Sequence, residues 1–159
     1  MVGHVREVEA ARERMDEAFR AVFECALDAM LIIDDAGAYI DANPAACVLF
    51  GKTREELIGT SVHDLSVDPA RTRDRMEQLI AAGSLTGEWD LRRPDGTLRR
   101  FQYAARAHIL PGWHLSILRD VTAQHHAQVE LQRSRETFAK AFRLSPVALG
   151  IIRVSDSRV

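Results

Sequence analysis

Two histidines, His125 and His126, stand side by side, and two cysteines, Cys25 and Cys47, lie far apart in the chain. Adjacent residues of a helix point to different sides, so His125 and His126 cannot share one metal ion. A phosphoacceptor helix carries a His-Glu-x-x-Arg-type signature. Here Ala127-Gln128-Val129-Glu130 follows, and solvated histidines are expected. Without a Cys-x-x-Cys pair, the cysteines read as two buried thiols in a reducing cytosol. No Ser-His-Asp arrangement, phosphate loop or paired-carboxylate spacing stands out. No catalytic residue and no metal ligand is therefore assigned. What remains is hydrogen bonding at Asp120-Val121-Thr122, where the side-chain oxygens of Asp120 and Thr122 can cap a helix that starts there.

The elements that must position these groups belong to an ordinary soluble globular composition. The chain has 159 residues, a formal net charge of -2, 47% hydrophobic and 28% charged residues. That suffices for one domain with a core plus extensions. No apolar run approaches the ~20 residues that span a bilayer. The N-terminus alternates charges and lacks a secretory apolar core. The near-neutral balance gives no nucleic-acid footprint. Arg92-Arg93 and Arg99-Arg100 flank a turn and read as a solvated hairpin tip.

Residues 4–27 read as one amphipathic helix, and residues 1–27 as a first segment. Val5, Val8, Arg12, Met15, Phe19, Val22 and Ala26 recur at spacings of three and four, a narrow heptad seam. Such a stripe packs either on its own domain or on a partner helix, and its narrowness favours a homodimer.

The core, residues 28–122, follows. Ala29–Asp34 is a short apolar strand, Asp35-Ala36-Gly37 a turn, and Ala38–Ala42 the returning strand. Asn43-Pro44 opens a helix over Ala45–Phe50 that Gly51 ends. Thr53-Arg54-Glu55-Glu56 is a capping box for a single turn closed by Gly59. Ser61–Leu65 reads as another short helical piece. Asp68-Pro69 starts a helix through Ala82, with Arg71, Arg73 and Arg75 outward and Met76, Leu79 and Ile80 inward. Trp89 to Thr122 then reads as three strands: one leading to Pro94-Asp95-Gly96, a long one over Thr97–Ile109, and a compact one over Trp113–Arg119. Residues 123–144 are the exit helix. The fold class is α+β, with a five-stranded antiparallel sheet, short helices on one face and flanking terminal helices.

An internal repeat runs at an offset of 119. Phe19 and Phe23 fall on Phe138 and Phe142, Glu17 on Glu136, Ala29 on Ala148, and Ile32 and Ile33 on Ile151 and Ile152. Residues 145–159, with Pro146-Val147-Ala148-Leu149-Gly150-Ile151-Ile152, are thus expected to be the truncated start of a second copy in a longer protein.

Ala29–Asp34, Asn43-Pro44-Ala45-Ala46, Leu49-Phe50-Gly51, Glu55-Glu56-Leu57-Ile58-Gly59, Arg93-Pro94-Asp95-Gly96-Thr97 and Arg119-Asp120-Val121-Thr122 occur in an order and spacing that resembles a PAS domain. The resemblance covers roughly Phe19 to Thr122. It implies short helices over one face of a five-stranded sheet, and a sensing or dimerising role ahead of an output domain such as a histidine kinase or a cyclic-dinucleotide enzyme. It also implies the inward positions: Leu31, Ile33, Trp89, Leu91, Phe101, Tyr103, Ala105, Ser116 and Leu118. Trp113, Leu115 and Ile117 then face the N-terminal helix or a partner subunit.

That apolar interior is either simply filled core or the site of an apolar small molecule such as a fatty acid. A flavin photosensor of this family needs an Asn-Cys-Arg-type motif and inner amides. Here the matching residues are Ala46-Cys47-Val48 and Leu91, Phe101 and Leu118, so flavin is not expected. Haem-binding relatives supply a histidine from the helix before the third strand, and Asp68–Ala82 holds none. His63 and His114 are the remaining candidates, and each reads as structural. The expected function is a non-catalytic, cytoplasmic sensory or dimerisation module, with Asp120 and Thr122 as relay to a downstream domain of the same polypeptide. The competing classes are a purely structural dimerisation module with a filled core and no ligand, and a haem-binding gas or redox sensor.

Overall fold

The computed structural model describes residues 2–144. The expected second copy at Pro146–Ile152 lies outside the described residues. The chain divides into two compact units, one ending at Thr122 and the other beginning at Ala123.

The first unit opens with helix α1 (Val2–Cys25), whose described apolar stripe is largely exposed. Met15, Phe19 and Val22 are 72%, 53% and 64% exposed, and among the described side chains of α1 only Phe23 is buried. Of the two expected arrangements, packing on its own domain is not seen at Met15, Phe19 and Val22. The side chain of Asn43 ties down the end of α1, with Nδ2 donating to Phe23 O and Asp28 O.

Strands β1 (Ala29–Asp34) and β2 (Tyr39–Ala42) form the first hairpin. At its turn Asp34 Oδ1 accepts from the Ala36 and Ala38 amides. Gly37 sits at φ +79°, and a Cβ there would lie 2.7 Å from Val62 Cγ2. Gly37→Ala should therefore cost roughly 1–3 kcal/mol from left-handed strain and crowding together. A urea midpoint that falls at unchanged m-value would show it.

Helices α2 (Pro44–Phe50) and α3 (Arg54–Ile58) begin at the caps read from sequence. Asn43 Oδ1 accepts from Ala46, and the Thr53/Glu56 capping box is complete. Ser61–Leu65 is not a helix but a hydrogen-bonded turn. The Asp64 carboxylate accepts from both the amide and the hydroxyl of Ser61, and that local closure competes with a helix.

Helix α4 (Pro69–Ala82) is capped by Asp68 and ends at Gly83. Leu79 and Thr72 are its buried residues, with Met76 half-buried. Arg75 departs from the outward reading and lies half-buried against Tyr103.

Strand β3 (Ser84–Arg92) starts directly after Gly83, five residues before Trp89, because its long partner β4 (Leu98–Leu110) pairs with it from Arg106 to Leu98. Strand β5 (Trp113–Asp120) completes an antiparallel sheet in the order β2-β1-β5-β4-β3. The two basic pairs at this hairpin are not simply solvated. Arg93 donates from Nε to Leu49 O at 2.7 Å and from Nη2 to Val48 O at 2.6 Å, covering carbonyls at the end of α2. Arg100 pairs with Asp90.

Helices α2, α3 and α4 pack on β1, β2 and β3–β4 respectively. The core between these layers is built on Leu31, Ile33, Tyr39, Leu49, Phe50, Leu57, Leu91, Phe101 and Leu118. The sheet's other face carries Trp113, exposed, and Leu115 and Ile117, half-buried.

The second unit is described by helix α5, which spans Thr122–Leu144 across the division. Along it Val129, Leu131, Phe138 and Phe142 are exposed. Phe138 and Phe142 stack at 6.3 Å, as Phe19 and Phe23 stack at 6.0 Å in α1. No described helix is long and apolar enough to cross a membrane.

Candidate functional site

Small residues at the centre of the sheet open a cavity beneath α4. Ala105 of β4 lies opposite Ser116 of β5, and Ser116 lies opposite Leu31 of β1. Large side chains at 105 and 116 would fill this space. Instead a cavity of about 390 Å³ remains between the sheet and α4. That lies within the ~300–1,000 Å³ of small-molecule sites. Ser116 stays half-buried although its strand is central.

Seven of the nine inward positions lie in the cavity wall. They are Leu31 and Ile33 of β1, Trp89 of β3, Tyr103 and Ala105 of β4, and Ser116 and Leu118 of β5. Leu91 and Phe101 are placed elsewhere, which corrects their reading as wall residues. Both are fully buried in the core to one side, with Phe101 against Phe50 and Trp89. Strand alternation gives the face of a residue but not whether that part of the face is covered by a helix.

The sequence reading missed the helix side of the cavity. Thr72, Arg75, Met76 and Leu79 of α4 line it, with Val62, Val67, Leu85 and Tyr39. Tyr39 is buried, its hydroxyl has no hydrogen-bond partner among the described residues, and burial pushes its pKa up. The rim is charged: Asp68, Arg71, Glu88, Asp90 and Arg100. The i, i+4 spacing of Arg71 and Arg75 was the available signal, since it places both on one face of α4.

The strands that wall the cavity also hold the start of α5. The Arg100 amide donates to Thr122 Oγ1 at 2.9 Å, and Thr122 Oγ1 donates to Arg100 O at 3.3 Å. The Val121 amide donates to Arg100 O at 2.9 Å. Asp120 Oδ1 accepts the Thr122 amide at 2.9 Å, while Oδ2 lies 3.5 Å from Arg99. Beside this junction Arg119 forms a bidentate pair with Asp28, which holds the Asp28 carboxyl below the usual carboxylate range.

One cluster was not visible in the sequence. Asp35, His108 and His114 bring their ligating atoms within 4.8 Å of one another. His108 takes a left-handed φ of 57° where the β4 register shifts, and its amide donates to His114 Nδ1 at 3.1 Å. An amide can only donate, so the proton of the neutral ring sits on Nε2 and is shared with Asp35 Oδ1 at 3.0 Å. Both nitrogens of the buried His114 are thus committed to joining the two hairpin turns. An ion or haem iron on Nε2 would displace the hydrogen that Asp35 accepts.

The remaining candidates are quickly placed. His63 packs at Gly37, and its buried Nδ1 has no partner among the described residues. His126 is exposed and His125 half-buried. The expectation of two buried thiols is corrected, because Cys25 is exposed and Cys47 partly so. Burial raises the Cys47 pKa, which keeps that thiol protonated and weakly nucleophilic. At the inner positions matched to flavin-binding amides, Leu91, Phe101 and Leu118 are buried and apolar.

Known proteins share this architecture. The chain is 27% identical over 147 residues to sporulation kinase E of Bacillus subtilis (strain 168), covering 91% of this chain and 20% of the kinase. It thus spans 20% of that relative's length. A domain of a sensory box sensor histidine kinase/response regulator from Geobacter sulfurreducens is 33% identical, with a TM-score of 0.61, covering 67% of this chain and 94% of that one. The PAS domain of an HTR-like protein from Haloarcula marismortui shares the fold at 21% identity, with a TM-score of 0.63, covering 72% of this chain and 98% of that one. The family described as PAS domain matches residues 27–123, and with that match over the five-stranded sheet and its helical cover the chain belongs to the PAS domain family.

Proposed function

We propose that this chain is a non-catalytic sensory module of a longer cytoplasmic signalling protein. A small molecule in the cavity displaces β4 and β5, and the Asp120-Val121-Thr122 junction passes the displacement to α5 and on to an output domain such as a histidine kinase. Any output activity lies outside this chain. The observation that carries the reading is that β4 and β5 do both jobs. Tyr103, Ala105, Ser116 and Leu118 wall the cavity, and Arg100 and Asp120 on the same strands bond to Thr122, the first residue of α5. Hydrogen bonds of this kind contribute ~0.5–1.5 kcal/mol each, enough to bias a two-state equilibrium several-fold.

Replacing both Asp120 and Thr122 by alanine in the full-length protein should uncouple input from output while leaving ligand affinity within about threefold, the ~0.6 kcal/mol scale of thermal energy. Autophosphorylation, or whichever output the downstream domain supplies, is the readout. An unchanged response to ligand would remove the relay.

A second reading is favoured by α1. Its exposed seam of Met15, Phe19 and Val22, continued in sequence by Val5 and Val8, suits a homodimer in which the module only joins subunits. Native mass spectrometry separates the two. A dimer with no retained small molecule and no ligand response supports the structural role, whereas a retained or saturable ligand supports sensing.

A further inference from the structure

We propose that the cavity takes a small amphipathic carboxylate, its apolar chain inside and its carboxylate on Arg71 and Arg75. The proposal rests on the reading of the cavity as a ligand site and names the class of that ligand.

The charges at the rim carry the argument. Each of its acids already accepts a hydrogen bond, Asp90 from a guanidinium and the other two from neutral donors. Asp90 forms a bidentate pair with Arg100, at 2.8 and 2.9 Å. Asp68 Oδ1 accepts the Arg71 amide as the cap of α4. Glu88 Oε1 accepts from Gln102. Two of the cavity's cations, Arg71 and Arg75, have no carboxylate partner among the described residues. Arg75 donates from Nη1 to Tyr103 Oη and to Glu88 O, both neutral acceptors. Its Nε and Nη2, and the whole Arg71 guanidinium, meet no carboxylate among the described residues. Four residues apart, the two share a helix face over the opening. Guanidinium groups bind carboxylates through paired, directed donors, so two of them at one opening select an anion of that shape.

Arg75 is also held in place. A Cβ on Gly87 would lie 2.7 Å from Arg75 Nη1 and 2.9 Å from Tyr103 Oη, so the absence of a side chain there lets the guanidinium settle on the Tyr103 ring. Below the rim the wall is aliphatic and aromatic, with Leu31, Ile33, Leu79, Leu85 and Leu118 around Trp89. Such a lining offers an alkyl chain apolar burial and offers a second charge nothing.

The test is calorimetric titration of the 159-residue chain with octanoate and with 1-octanol, which share the apolar chain and differ in the head group. Octanoate should bind at least tenfold more tightly. Arg71→Gln combined with Arg75→Gln should bring octanoate down to the affinity of octanol and leave octanol unchanged. Intermolecular nuclear Overhauser contacts should join the terminal methyl of octanoate to the methyls of Leu31 and Leu118. Equal affinities, or a preference that survives the double substitution, overturn the carboxylate class while leaving the cavity as a site. Contacts elsewhere on the surface overturn the site. Binding of neither probe removes both this proposal and the ligand-site reading beneath it.

Discussion

Asn43→Ala is expected to cost the fold about 3 kcal/mol or more, from four backbone groups left without partners at once. Asn43 is fully buried. Its Oδ1 accepts the Met30 and Ala46 amides, each at 2.9 Å, and its Nδ2 donates to Phe23 O and Asp28 O, each at 3.1 Å. One side chain therefore closes α1, anchors the start of β1 and caps α2. Loss of an N-cap alone costs ~1 kcal/mol. The other three groups add desolvated donors and acceptors in a site that alanine does not fill. Asn43→Asp keeps the two accepted bonds but sets carboxylate oxygens against two carbonyls. At neutral pH it should be at least as damaging as alanine, and it should recover partly on acidification, when the carboxyl gains a proton to donate. Urea unfolding of the three proteins measures this. A loss below ~1 kcal/mol for alanine would mean that water replaces the side chain, and the hub role would fall.

Phe101→Ala is expected to cost about 3–5 kcal/mol. The ring is fully buried within a run of four aromatics. Tyr39 meets Phe50 edge-on at 6.0 Å, Phe50 meets Phe101 at 6.2 Å, and Trp89 meets Phe101 edge-on at 5.3 Å. Removing Phe101 takes the middle from this run and leaves a void beside the cavity. Because Trp89 lies in the cavity wall, the same substitution should loosen it and alter its fluorescence. A stability change near zero, with Trp89 emission unmoved, would mean that the core closes over the gap without cost.

Much of this fold was written locally. The hairpin at Asp35-Ala36-Gly37, the caps at Asn43, Thr53 and Asp68, and the turns at Pro94-Asp95-Gly96 and Pro111-Gly112 each follow from residues within a few positions of one another. The inward positions came from the family resemblance, and seven of the nine line the cavity. What escaped depends on groups far apart in sequence. Arg75 was read as outward because α4 has basic residues at 71, 73 and 75, and only the approach of β3 and β4 shows that Tyr103 and Gly87 make a seat for it. The same holds for His114 with Asp35 and for Arg93 with the end of α2. Leu91 and Phe101 lie outside the wall for a related reason: both sit in the buried cluster that holds Phe50, and Phe101 meets that ring, which the strand pattern cannot see. Within Ser61–Leu65 the error was of scale, since a serine and an aspartate three residues apart closed a turn before a helix could start.

In the proposed mechanism, cavity occupancy reaches the start of α5 through β4 and β5. Amide hydrogen exchange at Arg100, Val121 and Thr122 tests it most directly, because these amides make the junction's own bonds to Thr122 Oγ1, Arg100 O and Asp120 Oδ1. Exchange is followed in the 159-residue chain with and without saturating octanoate. The exchange rates of these three amides should change at least threefold, beyond the changes in the cavity wall itself, and Asp120→Ala/Thr122→Ala should abolish the change. Saturated binding with the three rates unchanged would contradict it.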